Sequence, residues 1–171
     1  MNFQFYVEKL FGSDEFQSFI KENADAHPVG GFFVIDRENM KNPDNKSHLD
    51  YFAPSIKKMF SFQMGDGIKM VPVESFGDKA PEKVGVNYDF DFEEIEDLIR
   101  AEMKDQGIDK KLQKILLSLQ SLEGKGFLVG TVFTSSMGIL KVTVDLEEMK
   151  VVDFESKSFF DMIKTVAKGK S

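Results

Sequence analysis

The sequence contains no cysteine and no tryptophan among its 171 residues. The lack of thiols excludes disulfides, thiolate metal sites and cysteine nucleophiles, so the fold must be stabilised by packing. No stretch approaches the ~20 apolar residues that a membrane-spanning helix needs, and the first residues carry no basic leader. We therefore expect a cytoplasmic protein without a membrane span.

Basic runs are also missing. The chain has 22 lysines and arginines against 29 acidic residues, for a net charge of -7. This charge repels phosphate backbones, and no local cluster of arginine or lysine offsets it. We expect no nucleic-acid binding, whereas a protein partner or self-association stays open.

The content of 42% hydrophobic and 30% charged residues is typical of a globular protein. In the first half, helical spacing of apolar residues predicts a pair of helices in the first 23 residues. A further helix is expected to start at Pro54 and to carry Ile56, Met59 and Phe60. Strands are expected near 32–36, 68–74 and 84–89, and Pro72 favours an edge position for the second of these.

The second half is predicted to begin with a helix over 92–106 that ends at Gly107, followed by a second helix capped by Asp109 that carries leucines up to Leu122. Three strands follow in FLVGTVFT, ILKVTVD and MKVVDFE, and Ser158 caps a last amphipathic helix. We predict a single α+β domain over 1–171, with a weak seam at 65–85. Its mainly antiparallel sheet has about five to six strands, packs on amphipathic helices and ends in a β-β-β-α unit.

The stretch YDFDFEEIEDL, residues 88–98, holds six carboxylates in eleven residues. Asp91 stands at a helix N-cap position and Glu94 lies three residues later, which is the spacing of a capping box. Acidic side chains are favoured in the first turns of a helix by its dipole. The stretch is therefore predicted to be a helix start, and we assign structural roles to Asp91 and Glu94.

One acidic residue of this helix does not suit its surroundings. Glu102 falls seven residues after Ile95, inside the apolar stripe of the helix. A carboxylate on the core side would have a raised pKa or a buried partner. Glu102 is therefore a candidate buried carboxylate, the alternative being a place at the border of the stripe where it reaches water.

Each of the two histidines lies two residues from an aspartate. Asp25, His27, His48 and Asp50 could form a four-ligand site for a divalent transition metal if the loops around the strand at 32–36 meet. Such a site would suit a metal-assisted hydrolase. No other cofactor is indicated.

Eighteen phenylalanines are an unusual number for this length. A phenylalanine-rich core explains them, and an apolar cavity that carries a small apolar ligand is the alternative. Leu117 falls on the polar face of its predicted helix, which makes it a candidate for a partner-binding surface. Our leading hypothesis is a non-enzymatic acidic binding or adaptor module that engages a protein partner, and the hydrolase and the ligand carrier are the alternatives.

Overall fold

The computed structural model describes residues 1–74 and 79–158. These residues form three helices and eight strands. The helices are α1 (Phe3–Phe11), α2 (Asp14–Glu22) and α3 (Phe92–Asp105), and the strands are β1 (His27–Asp36), β2 (Lys46–Ala53), β3 (Lys58–Met64), β4 (Ile68–Val73), β5 (Leu112–Leu122), β6 (Lys125–Thr134), β7 (Gly138–Asp145) and β8 (Lys150–Ser158).

All eight strands belong to one antiparallel sheet with the order β4-β3-β2-β1-β5-β6-β7-β8. Each half of the chain thus supplies helical structure followed by four strands that meander outwards, and β1 pairs with β5 where the halves meet. The α+β class is confirmed, but the predicted five to six strands are too few. Pro72 lies on the edge strand β4, as expected.

The helix starts follow their local sequence. The Asn2 side chain accepts a hydrogen bond from the Gln4 amide at 2.7 Å, and Ser13 accepts one from the Phe16 amide at 3.2 Å. At α3 the Asp91 amide donates to the Glu94 carboxylate at 3.3 Å within a capping box. The predicted cap and the predicted helix pair are therefore confirmed.

The predicted helix after Asp109 is wrong, because Leu112–Leu122 forms the strand β5. Ile115, Leu117 and Leu119 are at most 1% exposed and follow the two-residue period of a strand. Pairing with β1 on one side and β6 on the other decides the outcome over helix propensity. Leu117 is consequently a core residue, and its assignment to a partner-binding surface is wrong.

Two other expectations change. Pro54 opens a turn into β3, in which Lys57 has a φ of 53°, so no helix begins there. The predicted strand at 84–89 is an extended segment that lies outside the sheet and is tied to the protein by hydrogen bonds, among them Val84 N to Pro28 O at 2.9 Å. The three C-terminal strands are present as β6, β7 and β8, while the helix predicted after Ser158 lies outside the described residues.

The helices cover one face of the sheet. Buried side chains of all three helices join one apolar cluster with Phe33, Leu117 and other residues of a single sheet face. Aromatic rings make up much of it; Phe33 and Phe92 lie 4.8 Å apart between centroids, and Phe19 and Phe62 lie 5.1 Å apart. The phenylalanine-rich core is thus confirmed. In the described parts of the chain, none of the helices has the length and apolar content to cross a bilayer.

Candidate functional site

The four proposed metal ligands do not form a site. The Asp25 carboxylate accepts hydrogen bonds from the Ser55 amide at 2.8 Å and from its hydroxyl at 3.1 Å. His27 pairs across strands with Phe52, and His48 lies four residues earlier on the same strand as Phe52, about 13 Å away at 3.3 Å per residue. Within residues 1–74 and 79–158, no three His, Asp or Glu side chains are arranged to hold a metal ion.

Glu102 is half-exposed and not buried. Its carboxylate accepts a hydrogen bond from the Gln106 side chain one turn later, at 3.0 Å. Glu102 therefore lies at the border of the apolar stripe of α3. The acidic residue of α3 that is most involved in tertiary structure is Glu96, which is 12% exposed and binds Arg37 Nε at 2.7 Å and Arg100 Nε at 3.1 Å.

Eight of the eighteen phenylalanines belong to the core cluster, and the cleft beside them leaves little room for a carried ligand. A cleft of about 200 Å³ touches Tyr6, Phe33 and Phe92, but Arg37 and Glu93 also border it. Sites for small ligands are typically about 300 to 1,000 Å³ and mostly apolar. This cleft is smaller and more polar than such a site.

The most distinctive surface lies on the side of the sheet that faces away from the helices. We call it the open face and define it by the alternate strand residues that point away from the core cluster. The register places one row of them across all eight strands, and a second row parallel to it across six. The first row is Lys69, Gln63, His48, Phe32, Ser118, Val129, Thr143 and Asp153, and the second is Lys46, Val34, Leu116, Thr131, Lys141 and Glu155.

The open face is rich in apolar side chains. Val34, Phe52 and Ile139 are less than a tenth exposed, although they lie outside the core cluster. Val129 is 38% exposed near the middle of the face. The apolar set comprises Phe32, Val34, Phe52, Met59, Val71, Val73, Leu116, Leu122, Phe127, Val129, Phe133 and Ile139. No described helix packs on these residues.

Charge is distributed unevenly between the two sides of the protein. The three helices carry ten acidic and four basic side chains, which accounts for most of the net charge of -7. The open face instead carries seven lysines, at 46, 69, 114, 125, 141, 150 and 157, against five acids, of which Asp36 and Asp145 are buried, Asp50 is half-exposed, and Asp153 and Glu155 are exposed. The acidic character of the chain thus belongs to the helical side.

His48 lies on the open face next to Phe32, with 6.0 Å between ring centroids. Burial lowers the pKa of His48, Lys46 lowers it further, and Asp50 acts in the opposite direction. The lowered pKa favours the neutral imidazole at pH 7. The neighbours of His48 on the face are Phe32 and Gln63 on the adjacent strands and Lys46 and Asp50 along β2.

The sequence does contain a sign of the open face that the predictions did not use. Neighbouring apolar residues occur in the central strands, as in Phe32-Phe33-Val34, Leu116-Leu117 and Leu128-Val129. Since successive residues of a strand point to opposite faces, such runs place apolar side chains on both sides of a sheet. A sheet covered on one side only would show strict alternation.

Comparison with known proteins adds evidence on the fold. No family model matches the chain, and no curated protein matches it either. The crystal structure of a putative lipoprotein from Clostridium difficile 630 is similar, with a TM-score of 0.51 and 12% sequence identity over 84% of this chain and 91% of that one. At this identity the similarity supports the fold alone.

Proposed function

We propose that this protein is a non-enzymatic binding module that engages a protein partner through the open face. The observation that carries the proposal is an eight-stranded sheet with apolar side chains on both faces, of which the helices within residues 1–74 and 79–158 cover one. An apolar surface of this extent is rare on a monomeric soluble protein and typically marks an interaction site.

The dimensions of the open face suit a protein partner. Eight strands at ~4.8 Å spacing extend about 34 Å, and six residues along a strand cover about 20 Å. The resulting ~700 Å² of flat area is close to the ~800 Å² that each partner contributes to an interface of standard size. A small ligand would cover only a fraction of it.

The chemistry of the face also supports binding over catalysis. Apolar residues occupy its centre, with Ser118 and Thr131 between them, and lysines such as Lys69 and Lys141 lie nearer its edges. A central apolar region with a polar rim is the usual anatomy of a protein interface. The hydrolase and ligand-carrier alternatives lack such support, since their residues do not converge and the cleft beside Phe33 is small.

Site-specific photo-crosslinking tests the proposal. Benzoylphenylalanine replaces Thr131, which is half-exposed on the open face, and in a matched variant it replaces Ser18, which is exposed on α2. We expect an adduct of one defined mass from position 131 only, and we expect Val129→Asp to abolish it because a carboxylate would be desolvated at the contact. Equal adducts from both positions, or none from position 131, would contradict the proposal.

A cytoplasmic location is part of the same proposal. The absence of cysteine is compatible with a reducing compartment. Cell fractionation with an antibody against the native protein tests it: recovery in the cytosolic fraction is expected, and recovery with membranes or in the medium would exclude it.

A further inference from the structure

We infer that the partner on the open face is a second copy of this chain, bound open face to open face. This inference rests on the proposed function and names its partner. It starts from the layers of the fold: the described residues form one layer of helices and one layer of sheet. A sheet with two apolar faces requires a further layer on its second side.

A second sheet is the natural third layer. Two sheets that bury apolar faces against each other form a sandwich with a core about 10 Å thick. An interface made of the same surface on both subunits must have two-fold symmetry. The open face has a suitable axis because β1 and β5 are adjacent and antiparallel at the middle of the sheet.

Consider a two-fold axis that lies between the two sheets, parallel to β1 and β5 and midway between them. This axis places β1 of one copy over β5 of the other, and β4 over β8. Each row of the open face then lies over the same row of the partner, with the order of its residues reversed. Val34 pairs with Leu116 in one row, and Phe32 pairs with Ser118 in the next. Val34 would therefore lie over Leu116 of the partner subunit, and the centre of the interface would be apolar.

The outer strands carry complementary charges under the same axis. Lys69 on β4 and Asp153 on β8 are the two ends of one row. The axis places Lys69 of one copy over Asp153 of the other, and the reverse, so each end of the row faces an opposite charge. Aligned sheets are commonly rotated by about 30°, which moves the outer strands by roughly two to three residues. Glu155, two residues after Asp153, keeps β8 acidic when the shift runs towards the C-terminal end of the strand, whereas a shift the other way would bring Lys150 over Lys69.

The area is sufficient for a stable dimer. Two faces of ~700 Å² give a total close to the ~1,600 Å² of a standard interface. Twelve apolar side chains on each face make the contact more hydrophobic than a transient interface, as in homodimers. The acidic helices of both copies would face solvent and keep the dimer from associating further.

Sedimentation velocity from about 1 to about 100 µM protein tests the inference. The wild-type chain should sediment as a dimer. Leu116→Asp, at the centre of the open face, should weaken the dimer by about a hundredfold or more, because it buries a charge without a partner. Phe5→Asp is the matched control on the helical side; Phe5 is 51% exposed on α1, away from the open face, and its substitution should leave the dimer intact.

Four further variants keep the test decisive. If Leu116→Asp does not fold, Val129→Asp replaces it, since Val129 is already 38% exposed. Lys69→Glu and Asp153→Lys should each weaken the dimer, and the double substitution should restore part of the loss. A monomeric wild-type protein over the whole range, or a dimer indifferent to both Leu116→Asp and Val129→Asp, would overturn the inference.

The outcomes also separate this inference from the proposed function. A monomer that still forms a Thr131 adduct with a different polypeptide would exclude the second copy and leave the binding function in place. An adduct from position 131 to residues 159–171 of the same chain would exclude both, because the open face would then be covered within one chain. A dimer sensitive to Leu116→Asp supports both.

Discussion

The phenol ring of Tyr88 lies against Gly126, so closely that a Cβ at position 126 would overlap it. Tyr88 belongs to the extended segment before α3, and Gly126 is near the start of β6. The contact therefore fastens that segment to the sheet. This contact requires glycine at position 126, because a larger residue would occupy the space of the Tyr88 ring.

Gly126→Ala should lower the free energy of unfolding by about 1 to 3 kcal/mol, since Tyr88 must move to admit the methyl group. Denaturant unfolding measures the effect. Gly65→Ala is the control, because a Cβ there would meet nothing within 4 Å. Adding Tyr88→Ala should relieve part of the stability loss caused by Gly126→Ala, and a double-mutant cycle would measure this relief as a coupling energy between the two residues. Equal losses for Gly126→Ala and Gly65→Ala would show that the ring does not occupy this place.

Leu117 and Leu122 distinguish the strand β5 from the helix expected of the same residues. A helix would bury Leu122 and expose Leu117, whereas in the structure Leu117 is 0% and Leu122 64% exposed. Leu117→Ala should cost about 2 to 5 kcal/mol of unfolding free energy, and Leu122→Ala should cost less than about 0.5 kcal/mol. A larger loss of unfolding free energy for Leu122→Ala than for Leu117→Ala would indicate that the segment is a helix.

These two leucines also show how far sequence-based reasoning extends. The helices α1, α2 and α3 were predicted because their caps lie within a few residues of their apolar stripes. The strands β6, β7 and β8 were predicted from alternation and turn residues. β5 was not, since leucine, lysine and glutamine favour helices and its leucines also fit a helical stripe. Its strand conformation comes from pairing with β1 and β6, which are distant in sequence.

The open face lay beyond prediction for a related reason. Phe32, Leu116 and Val129 lie in three different parts of the sequence and become neighbours only through the strand order. The apolar runs indicate that these strands have two apolar faces, but they do not state which strands are adjacent. The predicted metal site was wrong for the same reason. Each histidine is close to an aspartate in sequence, but the strand register keeps His27 and His48 apart.

Glu96 should matter more than Glu102, although both lie on α3. Glu96 accepts hydrogen bonds from Arg37 and Arg100 and thereby links α3 to the end of β1. Glu96→Gln should cost about 1 to 2 kcal/mol of unfolding free energy, because charge-assisted hydrogen bonds are lost. Glu102→Gln, which keeps a side chain able to pair with Gln106, should change it by less than about 0.5 kcal/mol. A larger effect at Glu102 would return it to the list of functional candidates.

The free energy of unfolding should fall at alkaline pH because Tyr51 is buried. Burial raises the pKa of Tyr51 from 10.0 to about 12. Because the folded state holds the proton longer than the unfolded state, this contribution is fully present below pH 10 and is lost as the pH rises towards 12, by on the order of 2 to 3 kcal/mol. Tyr51→Phe should flatten this part of the stability profile.

The remaining slope in Tyr51→Phe should come partly from Tyr88. Burial raises the pKa of Tyr88 as well, and the carboxylates of Glu147 and Asp145 act in the same direction. Denaturant unfolding at a series of pH values measures both proteins. Parallel profiles for the wild type and Tyr51→Phe would show that Tyr51 titrates normally.

Acid stability should depend on Asp36. Its carboxylate accepts hydrogen bonds from the amides of Asp44 at 2.9 Å, Glu38 at 3.0 Å and Asn39 at 3.4 Å. These amides, Asp44 first, hold the pKa of Asp36 below its ordinary value of 3.8, and Lys114 adds to the effect. The contribution is present above pH 3.8 and is lost as the pH falls through the lower folded-state value.

Asp36→Asn should therefore lower stability at neutral pH and remove part of the acid dependence. Asp44→Asn is the matched control, because the Asp44 side chain is exposed and its ion pair with Lys46 is long, at 3.8 Å between Oδ2 and Nζ. Thermal unfolding between neutral and acidic pH compares the variants. If the two substitutions have equal effects, the carboxylate of Asp36 does not organise the loop between β1 and β2.

Carbene footprinting of the wild-type protein tests whether the open face is covered. It compares labelling of Val129 and Phe5, which are 38% and 51% exposed in the single chain. At high concentration or in cell extract, we expect Val129, Phe32 and Leu116 to be protected while Phe5 is labelled, and we expect dilution of the purified protein to restore labelling of Val129. Labelling of Val129 in proportion to its exposure under all conditions would show that nothing covers the open face.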